Sequence, residues 1–158
     1  VRDDASTMMG GSFGGYMANW IATQTDRFRA IVSHASLWDL RAFRATTDHP
    51  AFWRDGFRPA MLEEHNPARF ADRITTPMLV IHGDKDYRVP VGEGLALWWA
   101  LTGSDAGDPA EIPHRFLYFP DENHWVLTPQ HAKLWYETVI EFLAAHREGR
   151  QPERPALL

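Results

Sequence analysis

The chain has 158 residues and a mass of 18.1 kDa, one domain's worth, and at that length folding buries roughly 70% of the extended chain's surface, so a core forms without staples. A composition 44% hydrophobic and 23% charged excludes disorder, and a net charge of −5 leaves no nucleic-acid or anionic-membrane footprint. No window approaches the ~20 apolar residues of a membrane span, and the absence of cysteine removes disulfides, thiol nucleophiles and cysteine-ligated metals.

In chain order, Ser6–Met9 reads as a short strand that runs into the glycine-rich stretch Gly10–Gly15. Tyr16, Met17, Trp20 and Ile21 then recur at helical spacing and predict a helix to about Thr25. Ala30–His34 is a brief β-branched run, the pattern of a buried strand. Residues 35–76 are dense in Trp, Phe, Arg and Pro and predict short helices and loops, one helix near Leu40–Thr46 and another opened by Asn66-Pro67, with Asn66 as its cap. Met78–His82 is the clearest strand, bounded by Pro77 and Gly83, and a helix follows Pro90 through Leu95–Leu101. Gly103–Pro113 reads as a surface loop, and Phe116–Phe119 as a strand stopped by Pro120. Thr128 and Pro129 cap and start a long helix whose inner face is Ala132, Trp135, Val139, Phe142 and Leu143, before a tail at 148–158. Strands alternating with helices predict an α/β fold of about four parallel strands, covered on both faces. In such sheets chemistry collects beyond the carboxyl ends of the strands.

Gly10-Gly11-Ser12-Phe13-Gly14 fits G-x-S-x-G and lies where that motif must, between a strand and a helix. The turn thrusts a serine hydroxyl above the sheet and aims the Phe13 N–H at a developing oxyanion. The plainer reading is a glycine turn that merely packs; a phosphate cradle fits less well, since neither a Lys-Ser/Thr pair nor G-x-G-x-x-G is present. A serine needs a base, and a neutral histidine base needs an orienting acid. His82–Asp86 and Pro120–His124 each follow a strand and supply those groups, with Asp86 74 residues after Ser12 and His124 38 after Asp86. Serine, acid, histidine is the α/β-hydrolase order. Asp84 is the rival for the acid, His34 and His82 are expected as hydrogen-bonded core or supporting histidines, and Asp121 and Glu122 as solvated loop charges. The remaining histidines lack ligand spacing, so no metal and no cofactor is expected. The tryptophans are mainly core filling, with Trp38 and Trp53 in the segment that overhangs the site.

These three stretches, Gly10–Met17, His82–Pro90 and Phe119–Trp125, resemble the prolyl oligopeptidase family of serine peptidases, in its acylaminoacyl-peptidase and bacterial dipeptidyl-aminopeptidase branch, from about Ser6 to His146. The resemblance implies Ser12 as nucleophile, Asp86 as acid and His124 as base, and places Tyr16 and Ser36–Asp39, with Trp38, near the pocket for the residue before the scissile bond. Family members also carry an N-terminal β-propeller and an earlier half of the hydrolase domain, which supplies a second oxyanion donor. Neither has a counterpart in these residues, and the loop Gly103–Pro113 is longer than usual for the branch. The expectation is therefore a partial catalytic domain over residues 1–147 with a tail at 148–158, the C-terminal part of a longer enzyme, weak or inactive alone. The strand at 6–9 is expected to leave an open edge that pairs with the missing half or with a second copy. Short-peptide hydrolysis is the expected activity and the cytoplasm the expected compartment; a small-ester hydrolase and a non-catalytic interaction module are the alternatives.

Overall fold

The computed structural model describes residues 6–103 and 113–158; the polar opening Val1–Asp4 and nearly all of the loop expected at Gly103–Pro113 lie outside the described residues. The elements are β1 (Met8–Gly11), α1 (Phe13–Ala22), β2 (Ile31–His34), α2 (Leu40–Thr46), α3 (Pro50–Gly56), α4 (Met61–Glu64), a 3-10 segment (Pro67–Arg73), β3 (Met78–Gly83), α5 (Gly92–Thr102), β4 (Arg115–Phe119) and α6 (Pro129–Glu148). The strands pair in the order β1-β2-β3-β4, every pair parallel. This is the fold class the sequence pattern predicts.

Side chains alternate across the sheet and divide the core. On one face Val32, Leu79, Ile81, Leu117 and Phe119 pack against Leu134, Val139 and Phe142 of α6. On the other, Ile31, Met78 and Val80 meet Ala18 and Ala22 of α1 and Leu97 of α5. A third cluster, Tyr16, Leu37, Leu40, Phe43, Phe57, Leu62 and Val89, roofs the carboxyl ends of the strands. All six residues of β3 are buried, and each large aliphatic among them contributes about 1.5–3 kcal/mol. β1 behaves differently: its burial alternates, and Met9 is 50% exposed. Among the described residues β1 is an edge strand, with β2 alone beside it.

Several boundaries differ from the sequence pattern: β1 starts at Met8, α1 ends at Ala22, short of Thr25, and α5 already starts at Gly92. The first strand continues into the glycines because Gly10 and Gly11 keep pairing with Ser33 and His34. The helix then begins at once, at Phe13 instead of Tyr16. At the caps, neither Asn66 nor Thr128 makes the side-chain bond expected of it. Asn66 Oδ1 instead accepts the N–H of Leu40, 3.1 Å away across the chain, and the start of α6 is served by Glu122, described below. The inner face of α6 is shifted slightly: Leu134 is buried, while Trp135 and Leu143 are only partly covered.

Ser12 sits between strand and helix at φ 58°, ψ −122°, outside the regions L-residues favour and worth about 1–3 kcal/mol of strain. The surrounding glycines are unequal in what they permit. A Cβ at Gly10 would lie 2.1 Å from the Gly14 carbonyl oxygen, and one at Gly15 would lie 2.5 Å from Ser36 Cβ, whereas a Cβ at Gly14 meets nothing within 4 Å. The turn therefore needs Gly10 and Gly15 for close approach, while Gly14 serves through its backbone. Gly10→Ala and Gly15→Ala should each destabilise the chain by about 1–3 kcal/mol or more, and Gly14→Ala should be neutral or stabilise by up to about 1 kcal/mol, as read by urea denaturation.

Candidate active site

Parallel register brings three loops to one rim. Gly11 lies beside His34, His34 beside Ile81, and Gly83 beside Phe119, so the loops after β1, β3 and β4 emerge together. There His124 Nδ1 is 2.8 Å from Asp86 Oδ2 and His124 Nε2 is 2.9 Å from Ser12 Oγ. A carboxylate only accepts, so the ring proton sits on Nδ1 and Nε2 is left to accept from the serine hydroxyl. Asp86 is 1% exposed, and its other oxygen accepts the Val89 N–H at 2.8 Å. The strained turn is tied down by Ser12 N–H donating to the His34 carbonyl at 2.9 Å. The Phe13 N–H is the first of α1, among the amides a helix leaves without an internal acceptor.

The acid and histidine loops are fastened to each other. Lys85 N–H donates to the Glu122 carbonyl at 3.0 Å. A Cβ at Gly83 would lie 2.5 Å from the carbonyl oxygens of Glu122 and Asn123, so only glycine lets the two loops close to this distance. Glu122, expected in solvent, is instead 4% exposed. Its carboxylate accepts from Leu127 N–H, Thr128 N–H and His131 Nδ1 at 3.0, 3.1 and 2.6 Å, which ties it to the two residues that lead into α6 and to a side chain on the helix's first turn. Burial pushes this carboxyl up, but the hydrogen bonds from Thr128, Leu127 and His131 outweigh it and hold the group down at about 2. Asp121 stays exposed and pairs with Lys85 at 2.9 Å.

The rival groups play other parts, and His82 Nε2 lies 3.6 Å from Asp86 Oδ2. Asp84 takes a hydrogen bond from the Tyr118 side chain on β4. His82 is fully buried and its Nε2 lies 2.8 Å from the Val89 carbonyl, which braces the turn holding Asp86; burial lowers its affinity for a proton. Burial likewise pushes His34 down to about 4. Of the two residues expected near the pocket, Tyr16 lies beneath Phe13, ring centroids 5.1 Å apart, with its hydroxyl donating to the His65 carbonyl at 2.9 Å. Trp38 is 3% exposed and packs in the core with Ala18, Ala22 and Ile31. The ring beside the nucleophile turn is that of Trp53, stacked on Phe13 at 6.3 Å and 12° and on Phe57 at 4.9 Å and 17°. A groove of about 280 Å³ opens on the other side of His124, lined by Asp48, Lys85, Tyr87, Arg88, Asn123 and Trp125.

A serine hydroxyl, an imidazole and a buried carboxylate within hydrogen-bonding reach, beside the first amide of a helix, form an arrangement that can carry out acyl transfer. The model of the prolyl oligopeptidase family matches residues 1–150. The chain belongs to the prolyl oligopeptidase family. Dipeptidyl-peptidase 5 of Aspergillus fumigatus is 38% identical over 160 residues, covering 90% of this chain and 20% of that protein. Dipeptidyl-peptidase 5 of Porphyromonas endodontalis is 34% identical over 85% of this chain and 20% of its own length. Among solved structures, the acylaminoacyl peptidase of Pyrococcus horikoshii superposes with a TM-score of 0.83 at 23% identity, over 98% of this chain and 26% of that one. A puromycin-hydrolyzing peptidase of Mycobacterium tuberculosis gives 0.81 at 28%, over 98% and 24%. This family member thus spans about a fifth of the curated relatives' length and about a quarter of the solved chains.

One buried carboxylate behind the site has the opposite electrostatic character to Glu122. Glu93, on the first turn of α5, is 4% exposed, and burial raises it from 4.5 to about 7, against the hydrogen bonds it accepts from Trp38 and Asp39. A raised carboxyl lends stability below its unfolded value and loses it as pH climbs to the folded value. Stability from Glu93 should therefore fall by on the order of 3 kcal/mol between about pH 4.5 and 7. Glu122, depressed, gives stability above pH 4.5 that is lost toward pH 2. His34 and His114, both pushed down to about 4, oppose Glu93 over much of its interval, so the difference from a variant is what reports. Urea midpoints against pH should show Glu93→Gln lacking the fall between pH 4.5 and 7, and Glu122→Gln lacking the loss below pH 4.5.

Proposed function

We propose that this chain carries the nucleophile, acid and base of a serine peptidase that hydrolyses short peptides, of the dipeptidyl- or acylaminoacyl-releasing type. The observation that supports it most is the unbroken line Ser12 Oγ, His124, Asp86 at 2.9 and 2.8 Å. Ser12 Oγ attacks the carbonyl carbon as its proton passes to His124 Nε2, and the carbonyl π electrons move onto oxygen. The Phe13 N–H meets that oxyanion, and a second donor comes from residues outside this chain. Asp86 accepts a hydrogen bond from His124 Nδ1–H and stabilises the imidazolium that forms. His124 then returns the proton to the leaving amine, the C–N bond breaks, and water repeats the sequence on the acyl-enzyme. Removing one oxyanion donor typically costs about 10²–10³ in turnover, so these residues by themselves are weak or inactive.

The exposed ring of Phe13 and the partly buried ring of Trp53, backed by the buried Phe57, suit an apolar side chain before the scissile bond, because a flat ring contributes a large contact area. In the full-length natural chain that carries these residues, Ser12→Ala should abolish covalent labelling by a fluorophosphonate; labelling that persists at another serine overturns the assignment. Trp53→Ala should lower kcat/KM for a phenylalanyl substrate by about 10- to 200-fold while changing that for a glycyl substrate far less.

The edge of β1 supports a second part of the reading. Met9 on β1 is exposed, and Thr7, just before the strand, lines a shallow groove of about 270 Å³ with Ile140, Leu143, Ala144 and Arg147 of α6. Unpaired strand edges next to apolar surface recruit a further strand, here from an earlier segment of the longer polypeptide. Lacking that segment, the 158-residue chain should self-associate at tens of micromolar, read by light scattering; a monodisperse monomer counts against it.

A further inference from the structure

We propose that Glu93 is a positioning residue: its buried carboxylate holds the backbone of Trp38 and Asp39, and through it the aromatic wall carried by α3, in register with Ser12. This rests on the peptidase reading above and adds to it the group that ties the acid's side of the site to the pocket's side.

Glu93 follows Asp86 by seven residues on one short stretch of chain, closed by its own N–H donating to the Pro90 carbonyl at 2.9 Å. One oxygen, Oε2, accepts the N–H of Trp38 and that of Asp39, each at 2.8 Å. The next two amides are also taken by side chains: Leu40 N–H by Asn66 Oδ1 at 3.1 Å and Arg41 N–H by Asp39 Oδ1 at 3.0 Å. Asn66 Nδ2 closes the set by donating to Asp39 Oδ1 at 2.8 Å. Four consecutive amides thus converge on three side chains that come from three separate segments. These amides lead into α2, and α2 leads into α3, whose Trp53 stacks on the Phe13 ring next to Ser12.

The occupant of the Glu93 position governs how firmly that wall is held. The clasp that takes the Trp38 and Asp39 amides also buries the carboxyl, and that burial outweighs the two hydrogen bonds, so by linkage the clasped arrangement holds residues 38 and 39 more firmly when Glu93 is protonated than when it is ionised. Asp39 is the charged neighbour that acts on Glu93, and it opposes ionisation. Grip should fall as pH rises, and with it the capture of substrates that need the wall.

The test uses the full-length natural chain, wild type and Glu93→Gln, with phenylalanyl and glycyl peptide substrates. Gln keeps a carbonyl acceptor but cannot ionise. In the wild type, KM for the phenylalanyl substrate should rise by about threefold or more from pH 6 to 8 relative to the glycyl one, while the kcat ratio stays flat. Glu93→Gln should lose that differential; taking the ratio between substrates and the difference between proteins removes every other ionisation. A second readout is independent of turnover: in NMR spectra the amide protons of Trp38 and Asp39 should shift with pH in the wild type and not in Glu93→Gln. Identical KM profiles in the two proteins, or pH-invariant Trp38 and Asp39 amides in the wild type, overturn the proposal even when Ser12 labels normally. Failure of wild-type Ser12 to label overturns the peptidase reading and this inference with it.

Discussion

A serine hydroxyl can stand above a parallel sheet only if the backbone beneath it bends more sharply than L-residues favour, and at Ser12 that bend is held from two sides. The Ser12 N–H is bound to the His34 carbonyl, and Gly10 and Gly15 let α1 settle against β1 and the residues after β2 without a Cβ between them. Strain of this kind survives only where its surroundings over-determine it. Here the surroundings are β2 and the buried set Asn19, Ser33 and Ser36, whose side chains bond one another at 2.6–3.1 Å and tie α1 to the loop after β2.

With the nucleophile placed, the other two groups follow from strand ends. Asp86 and His124 are each carried past the rim by a loop, and the loops are clasped through Gly83, Lys85 and Glu122. Glu122 also binds the amides that lead into α6 and the His131 side chain on it, so the loop that carries His124 is anchored both to the acid's loop and to a helix of 20 residues. The base's orientation therefore does not rest on the Asp86 contact alone. His82 plays the matching part for the acid, bracing the Val89 carbonyl on the residue whose N–H binds Asp86.

Much of this was legible in the residues. Strand runs with β-branched side chains, glycines at one turn and three chemical groups in hydrolase order identify the sheet and the members of the site, because each signal is local to one loop. The groups that escaped are those whose role depends on a partner far along the chain. Glu93 reaches residues 55 positions away, and Asn66 reaches Leu40 across 26. Read locally, the first is a surface carboxylate on a helix and the second a cap. Trp38 and Trp53 sit in the same aromatic-rich segment, and composition does not say which ring turns inward; packing against Ala18 and Ala22 takes Trp38 into the core and leaves Trp53 for the rim. Glu122 looked solvated because its neighbours are polar, yet the start of a long helix supplies amides enough to bury it.

The uneven covering of the strands has a kinetic meaning. β3, which leads to the acid, is sealed along its whole length, while every second residue of β1 is open to water. Opening fluctuations begin where the fewest apolar contacts must be broken, so among the described residues they begin at the outer strands β1 and β4, where Met9 and Tyr118 are exposed. The three groups are unequal in permanence: the acid follows the sealed strand, while the serine and the histidine follow the two outer ones and meet only while both stay paired.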